Sequence, residues 1–395
     1  MDYTQQSLFF KLNKTLRYIR LYGLSRTLVK IKGQYHMKKK YSDLPLNHSR
    51  KNNKAHVGIL GCGNFGFSNI AYYLRKNYGN VIKAAMDIDI NRTVSLYEEY
   101  KIDYYTQDPL EIINDPQINL VYVASNHASH AEYAIKAIEK GKAVHIEKPH
   151  AVNLDQLIRL CNAIKQYDGK VRLGFNRPKS KLGLLVSQAL NEQTGTTMIN
   201  WFVAGHQIEE SHWYFSAEEG GRVLGNLCHW TDLTYNMISP QSCFPITIIP
   251  ARAEKSDCDI SVSYVFGDGS IATITFSAKG HTFEGVRETL NAHKGNVLLE
   301  LKDFQKLRID NVDKVTNHNL SRRDHGHKKA IVDSYKMLED NALAEDLEYI
   351  WNTGYLVIKT REALEQQKTI TIQGFEESYN LERDLYSTIA TDKRQ

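Results

Sequence analysis

Between residues 56 and 178 short apolar runs alternate with longer stretches whose apolar positions recur every three or four residues, the periods of strand and amphipathic helix. "HVGILG" reads as a strand, "NIAYYLRKNYG" as a helix, "VIKAAMDID" as a strand and "NRTVSLYEEYK" as a helix. After "DYYTQ" and a helix near "PLEIIND" come the strand "NLVYVAS", the helix "HAEYAIKAIEKG" and the strand "AVHIEKP". The helix "NLDQLIRLCNAIKQYDG" and the strand "KVRLGFN" complete the series. Strands separated by helices of this length pair in parallel through right-handed crossovers, so this segment is expected to be one parallel α/β domain.

From residue 179 the pattern changes. "TTMINWFVAG", "PITIIPARAEK", "DISVSYVFGDGSIATITFSAKG", "ETLNAHKGNVLLELKD" and "QKLRI" alternate or form β-branched runs joined by tight turns such as "GDGS", which predicts a mostly antiparallel sheet. Two helical stretches follow, around 325–340 and 344–366. Residues 179–375 are read as a second α/β domain and 376–395 as a C-terminal tail.

The first 55 residues differ from both. "LFFKLNKTLRYIRLYGLSRTLVKIKGQYH" mixes Leu, Phe, Tyr and Ile with basic residues at helical spacing, predicting short amphipathic helices broken at Gly23, and "SDLPLNHSRKNNKA" reads as a polar linker. This arm carries thirteen Lys and Arg against Asp2 and Asp43, which more than accounts for the chain's formal charge of +5, and the remaining body is slightly acidic. Such an arm suits peripheral contact with anionic lipid, a partner subunit in a homo-oligomer, or plain solvent. Nucleic acid fits the charge, but no recognisable nucleic-acid module accompanies it.

Composition narrows the class further. With 42% hydrophobic and 24% charged residues, the 395-residue chain is ordinary for folded protein and long enough for two cores. The cysteines, Cys62, Cys161, Cys228, Cys243 and Cys258, form no C-x-x-C pair, which argues against a disulfide framework and a zinc site. No run reaches the roughly 18 apolar residues of a membrane span, and the N-terminus lacks the pattern of a cleaved leader, so a cytoplasmic location is expected.

Candidate chemistry starts at "GILGCGNFG". Gly61, Gly63 and Gly66 form G-x-G-x-x-G directly after a strand and at the opening of a helix. The first glycine permits the tight turn, the second lets backbone amides approach a pyrophosphate, and the third lets helix pack on strand. Asp87 ends the next strand, where a carboxylate would accept hydrogen bonds from ribose hydroxyls and disfavour the extra phosphate of NADP, although Arg92 could counter it. NAD is the expected cofactor, with NADP the less favoured. A second signal is "VHIEKPHAV", which places Glu147, Lys148 and Pro149 where an apolar strand ends; a charge there must be solvated, paired or used.

These segments, with "VASNHASHAEYAIKAIEKGKAVHIEKPHAV", "RLGFNRPKSKL" and "EEGGRVLGNLCHWTDL", resemble the glucose-fructose oxidoreductase and inositol dehydrogenase family, often called Gfo/Idh/MocA, over residues 56 to 370. The resemblance implies an N-terminal Rossmann dinucleotide-binding domain, a C-terminal α/β domain with an open, mostly antiparallel sheet, and hydride transfer between a nicotinamide and a sugar or polyol carbon. It implies cofactor contacts at Gly61, Gly63, Asn64, Phe65, Gly66, Asp87, Ser125, His127, His130, Glu147 and Lys148. Lys148 takes the position beside the nicotinamide, where an ammonium can stabilise an oxyanion and relay its proton. His229 stands where the family has a substrate-facing histidine. Many members place an Asp four residues earlier; this chain has Gly225 there, then Asn226, so His229 lacks that orienter, and Asp232 could contact the ring or cap local structure.

"SNHASHA" and "WFVAGHQIEESHWYFSAEEGGRVLGNLCHWTDL" resemble a subgroup associated with bacterial surface-polysaccharide clusters. Substrate candidates are Asn176, Arg177, His206, Trp213, Arg222, Asn226 and His229, with His212 nearby. Trp213 offers a flat face for a sugar ring, and Arg222 a partner for carboxylate or phosphate. Two alternatives stand beside a sugar oxidoreductase: a redox-neutral enzyme that keeps its NAD bound, and a non-enzymatic dinucleotide-binding regulatory protein.

Overall fold

The computed structural model describes residues 3–47, 54–238, 243–252, 259–280 and 283–392, and the chain divides into two units. The first comprises Met1–His150, Arg159–Gly174 and His327–Leu347; the second comprises Ala151–Ile158, Phe175–Gly326 and Glu348–Gln395.

The first unit is built on six parallel strands: β1 (Val57–Leu60), β2 (Ile82–Met86), β3 (Tyr104–Thr106), β4 (Leu120–Val123), β5 (Ala143–Ile146) and β6 (Val171–Leu173). Their order is β3-β2-β1-β4-β5-β6, the doubly wound arrangement of a Rossmann fold. Every residue of β1, β4 and β5 is buried, which explains why these strands read as continuous apolar runs. The order reverses between β1 and β4, and ligands bind such sheets at the carboxyl ends of the strands flanking that reversal.

Two segments join this unit that the sequence reading placed elsewhere. The basic stretch forms helices α1 (Leu8–Tyr22) and α2 (Leu24–His36), which meet at Gly23. The pair docks on the first unit: Arg26 donates to the Ser68 carbonyl and the Asn69 side chain, Ser25 Oγ lies 2.8 Å from Tyr72 Oη, and Lys32 pairs with Glu99. Of the expected linker, Pro45 and Asn47 hydrogen-bond Tyr105, while residues 48–53 lie outside the described residues. The helix His327–Lys336, assigned by pattern to the second domain, also returns here: Tyr122 Oη donates to the Ile331 carbonyl, and Ser334 Oγ is 2.7 Å from His145 Nδ1. Apolar periodicity shows that a helix has a face to bury, not which sheet will cover it.

The second unit carries a nine-stranded mixed, open sheet: β7 (Thr197–Ala204), β8 (Ile246–Arg252), β9 (Asp259–Val265), β10 (Ile271–Ser277), β11 (Arg287–Lys294), β12 (Val297–Lys302), β13 (Lys306–Asn311), β14 (Lys314–Asn319) and β15 (Ile370–Ile372). The order is β14-β13-β12-β11-β7-β10-β9-β8-β15; β7 and β10 run parallel and the other pairs antiparallel. Alternating burial along β7 gives the sheet one covered and one open face. Residues read as a tail form the helix Phe375–Asp392, fixed by Trp351 Nε1 donating to Ser378 Oγ.

Candidate active site

At the carboxyl end of β1 the three glycines have distinct surroundings. Gly61 has φ +103°, and a Cβ there would lie 2.3 Å from the Ala124 carbonyl oxygen; one on Gly66 would lie 2.2 Å from that of Gly61. Both positions are sealed by protein backbone. A Cβ on Gly63 would meet nothing within 4 Å, so this glycine leaves open space instead of accommodating a neighbour. The backbone then runs through a π-helical stretch, Gly66–Ala71, a local geometry frequent at functional sites. Asn64 Oδ1 accepts from Ser68 Oγ, and the Phe65 ring lies 5.8 Å from that of His327.

Asp87 follows β2 and is buried. Its Oδ2 accepts the Cys62 backbone N–H at 2.8 Å and its Oδ1 that of Asp89 at 2.9 Å, so the carboxylate ties the glycine turn to the next loop. Arg92 Nη1 stands 3.9 Å from Asp87 Oδ1. Each oxygen keeps a second lone pair for a hydroxyl. Open space at Gly63 and an anchored acid one strand away fit a dinucleotide, of which Gly63 and its neighbours would hold the pyrophosphate and Asp87 the ribose.

The ends of β4 and β5 lie next along the same edge. Ser125 Oγ and Ser129 Oγ are 2.6 Å apart, and His127 begins the helix His127–Glu139 as a buried residue. Buried His130 spans two loops, with Nδ1 2.8 Å from the Pro149 carbonyl and Nε2 3.1 Å from that of Ser125. Burial lowers its pKa, and the neutral ring has one N–H, so it donates to one of these carbonyls at a time. Glu147 is turned into the protein: its Oε1 is 3.1 Å from His145 Nε2, and a Cβ on Gly174 would come within 2.7 Å of its carboxylate. Its place is to fix the end of β5 rather than to reach outward. Lys148, the next residue, is half-buried, and the Lys148–Pro149 peptide is cis.

The substrate candidates fall in the second unit and form two clusters. Asn176 donates to the His325 carbonyl, and Arg177 Nε donates to Glu288 Oε2 at 2.8 Å, its guanidinium lying over the Trp230 ring at 4.5 Å. Trp230 Nε1 donates to the same Glu288 oxygen at 2.6 Å, and His325 Nε2 is 3.0 Å from the other. Burial alone would raise the Glu288 pKa, but the Arg177 charge and the hydrogen bonds outweigh it and hold the group at about 2. The guanidinium of Arg177 is thus committed to a buried ion pair.

In the other cluster, buried Arg222 bonds the His206 carbonyl and Asn226 Oδ1, and Asn226 lies in the π-helical stretch Val223–Leu227 with Gly225. His229, half-buried, follows one turn on, its ring edge-on to Phe175 at 6.4 Å. Asp232 Oδ1 accepts from Tyr349 Oη at 2.6 Å and Thr353 Oγ1 at 3.0 Å. Trp213 is 43% exposed and packs edge-on to Tyr214 in a short 3₁₀ turn, with the His212 ring beside both.

Sequence reasoning missed Glu288, His145 and His36. Glu288 sits in an alternating strand where a solvated face is the default reading, and only the fold brings it to Arg177, 111 positions away. His145 was legible as a histidine inside an apolar run. His36 Nε2 donates to the Cys62 carbonyl at 2.6 Å and stacks on Phe67 at 4.1 Å, so the hairpin touches the glycine turn itself.

Comparison with known proteins matches residues 55–175 to the oxidoreductase family described as having an NAD-binding Rossmann fold. The uncharacterized oxidoreductase YrbE of Bacillus subtilis is 31% identical over 227 residues, covering 55% of this chain and 65% of that protein. Inositol 2-dehydrogenase of Pseudomonas fluorescens is 32% identical over 124 residues, 31% of this chain and 37% of that one. The chain thus spans under two thirds of these relatives' lengths. Among solved structures, the aldose-aldose oxidoreductase of Caulobacter crescentus superposes with a TM-score of 0.69 at 14% identity, covering 81% of this chain and all of that one, a likeness of fold.

Proposed function

The chain belongs to the Gfo/Idh/MocA family of oxidoreductases, and from that premise we propose that it transfers hydride between NAD and a carbinol carbon of a sugar or nucleotide-linked sugar. The observation that carries this reading is one edge of one sheet. β5 stands two strands from β1 in a parallel sheet, so Lys148 and the open space at Gly63 share the carboxyl edge on either side of the order reversal. Bound NAD would supply the hydride acceptor. Lys148 donates a hydrogen bond to the reacting hydroxyl, stabilises the oxyanion as the C–H bond breaks, and passes on the proton; His229 is the second candidate for handling that proton. Trp213, Arg222 and Asn226 are the sugar contacts. His130 and Glu147 position the loops around Lys148.

The resemblance of the segment from Trp201 to Leu233 supports a role in surface-polysaccharide assembly, carried out in the cytoplasm. Among the described residues no helix is long and apolar enough to cross a membrane. Exposed Met198, Phe202, Ile271 and Leu298 on the open sheet face support a homo-oligomer.

The test is Lys148→Ala: turnover is lost while NADH titrates as in the wild type, and retained turnover refutes the assignment. Gly225 in place of the usual acid, with Asp232 committed to Tyr349 and Thr353, favours a second reading, a dinucleotide-binding regulatory protein. That reading expects NADH binding without sugar-dependent absorbance at 340 nm.

A further inference from the structure

Helices packed on a globular unit turn their apolar side inward. The hairpin of α1 and α2 does the reverse with part of its surface. Leu8, Phe9, Leu12 and Leu16 form a stripe along α1, continued by Leu24 and Leu28 on α2, and their exposure runs from 49% at Leu28 to 84% at Leu8. Residues 3 to 42 contain ten Lys and Arg and neither Asp nor Glu. Arg17 and Arg20 lie on the exposed side with the stripe.

A cavity of about 520 Å³ opens between the two helices and the turn that follows Gly63. Its lining includes Lys11, Lys14 and Lys30, the rings of Tyr3, Tyr18 and Phe65, and, among the described residues, no carboxylate. Lys14 Nζ lies over the Tyr3 ring at 4.1 Å, and Lys30 Nζ over Tyr22 at 5.2 Å and Tyr18 at 5.7 Å. Among the described residues Lys30 makes no ion pair. Burial pulls the Lys30 ammonium down to about 7, helped by the charges of Arg26 and Lys14, and burial pulls Lys14 to about 8. An entering anion would restore the charged forms of both.

We propose that this hairpin is a docking surface for an anionic bilayer, the leucine stripe entering the interface while a lipid phosphate occupies the cavity at Lys14 and Lys30. The charge decides between occupants. A second copy meeting the first stripe to stripe would bring two carboxylate-free basic surfaces together, whereas an anionic membrane complements both the stripe and its cations. The hairpin is no loose tether, because Arg26, Lys32 and His36 fasten it to the Rossmann unit.

The experiment is sedimentation of the full chain with vesicles of phosphatidylcholine alone and of an equal mixture with phosphatidylglycerol. The chain is expected to partition onto the mixed vesicles only. The double variant Leu12→Glu/Leu16→Glu and the cavity variant Lys14→Gln/Lys30→Gln are each expected to lower that partition by about tenfold or more. Thermal unfolding monitors folding of each. The proposal is overturned by equal binding to both vesicle types, by wild-type binding by Leu12→Glu/Leu16→Glu, or by a dimer in light scattering that this variant dissolves while no vesicles bind. Stabilisation by inorganic phosphate through Lys14 and Lys30, with no vesicle binding, also overturns it and assigns the cavity to a soluble anion. The assay contains neither dinucleotide nor sugar, so its outcome is independent of the oxidoreductase reading.

Discussion

Replacing Gly63 by alanine separates a glycine kept for the fold from one kept for a ligand. A Cβ at Gly63 meets no protein atom within 4 Å, and its φ lies outside the left-handed region. A glycine-to-alanine change at such a site stabilises by about 0.4–1 kcal/mol through the unfolded chain. If the space is the pyrophosphate's, the same methyl would occupy the path by which it reaches the backbone amides. Losing one charge-assisted hydrogen bond costs about 1.5–3 kcal/mol, or roughly a ten- to hundredfold weaker Kd. Gly61→Ala is the control. Its φ of +103° costs a non-glycine residue about 1–2 kcal/mol, and the 2.3 Å approach to the Ala124 carbonyl adds to that. Thermal unfolding without ligand and NADH fluorescence titration make the comparison. Gly63→Ala is expected to keep or raise Tm and lose NADH affinity, while Gly61→Ala loses both. Wild-type NADH affinity in Gly63→Ala would refute the reasoning, because the space would then not be the pyrophosphate's.

Other outcomes follow from the same geometry. The Glu288 pKa falls from its ordinary 4.5 to about 2 on folding, so the group contributes stability above the unfolded value and loses it as pH falls toward 2. Urea unfolding should show a loss of about 3 kcal/mol across that window in the wild type, and Glu288→Gln should lack it while being less stable at neutral pH, since Arg177 is left buried without its partner. Asp87→Asn keeps an acceptor for the Cys62 amide but removes the charge, with Arg92 still 3.9 Å from that site. The ratio of NADPH to NADH affinity is expected to rise about tenfold in fluorescence titrations, and an unchanged ratio would remove Asp87 from cofactor choice. Trp213→Ala should raise KM for the sugar with little effect on NADH binding, as expected when a stacking face is lost.

The parallel domain was legible because each of its strands is a separate apolar run and each crossover helix carries its own period, as in "NLVYVAS" and "HAEYAIKAIEKG". The glycine turn and Asp87 were legible because strand, turn, helix and acid follow one another closely between Val57 and Asp87. What was not legible depends on partners distant in sequence. Arg177 reads as an available cation until Glu288 and Trp230 close around it. Asp232 reads as a neighbour of His229 until Tyr349 and Thr353 claim its carboxylate. The basic hairpin reads as an appendage because charge dominates its composition, yet His36 and Arg26 bind the turn and helix that follow β1.

The central claim is that Lys148, at the carboxyl edge shared with the Gly63 cradle, serves hydride transfer to NAD from a sugar carbinol carbon. Its most direct measurement is absorbance at 340 nm with the purified full chain and NAD against inositols, free sugars and nucleotide sugars, run beside Lys148→Ala. The account predicts sugar-dependent NADH formation by the wild type and none by the variant. NADH binding with no sugar-dependent absorbance in either protein would contradict it.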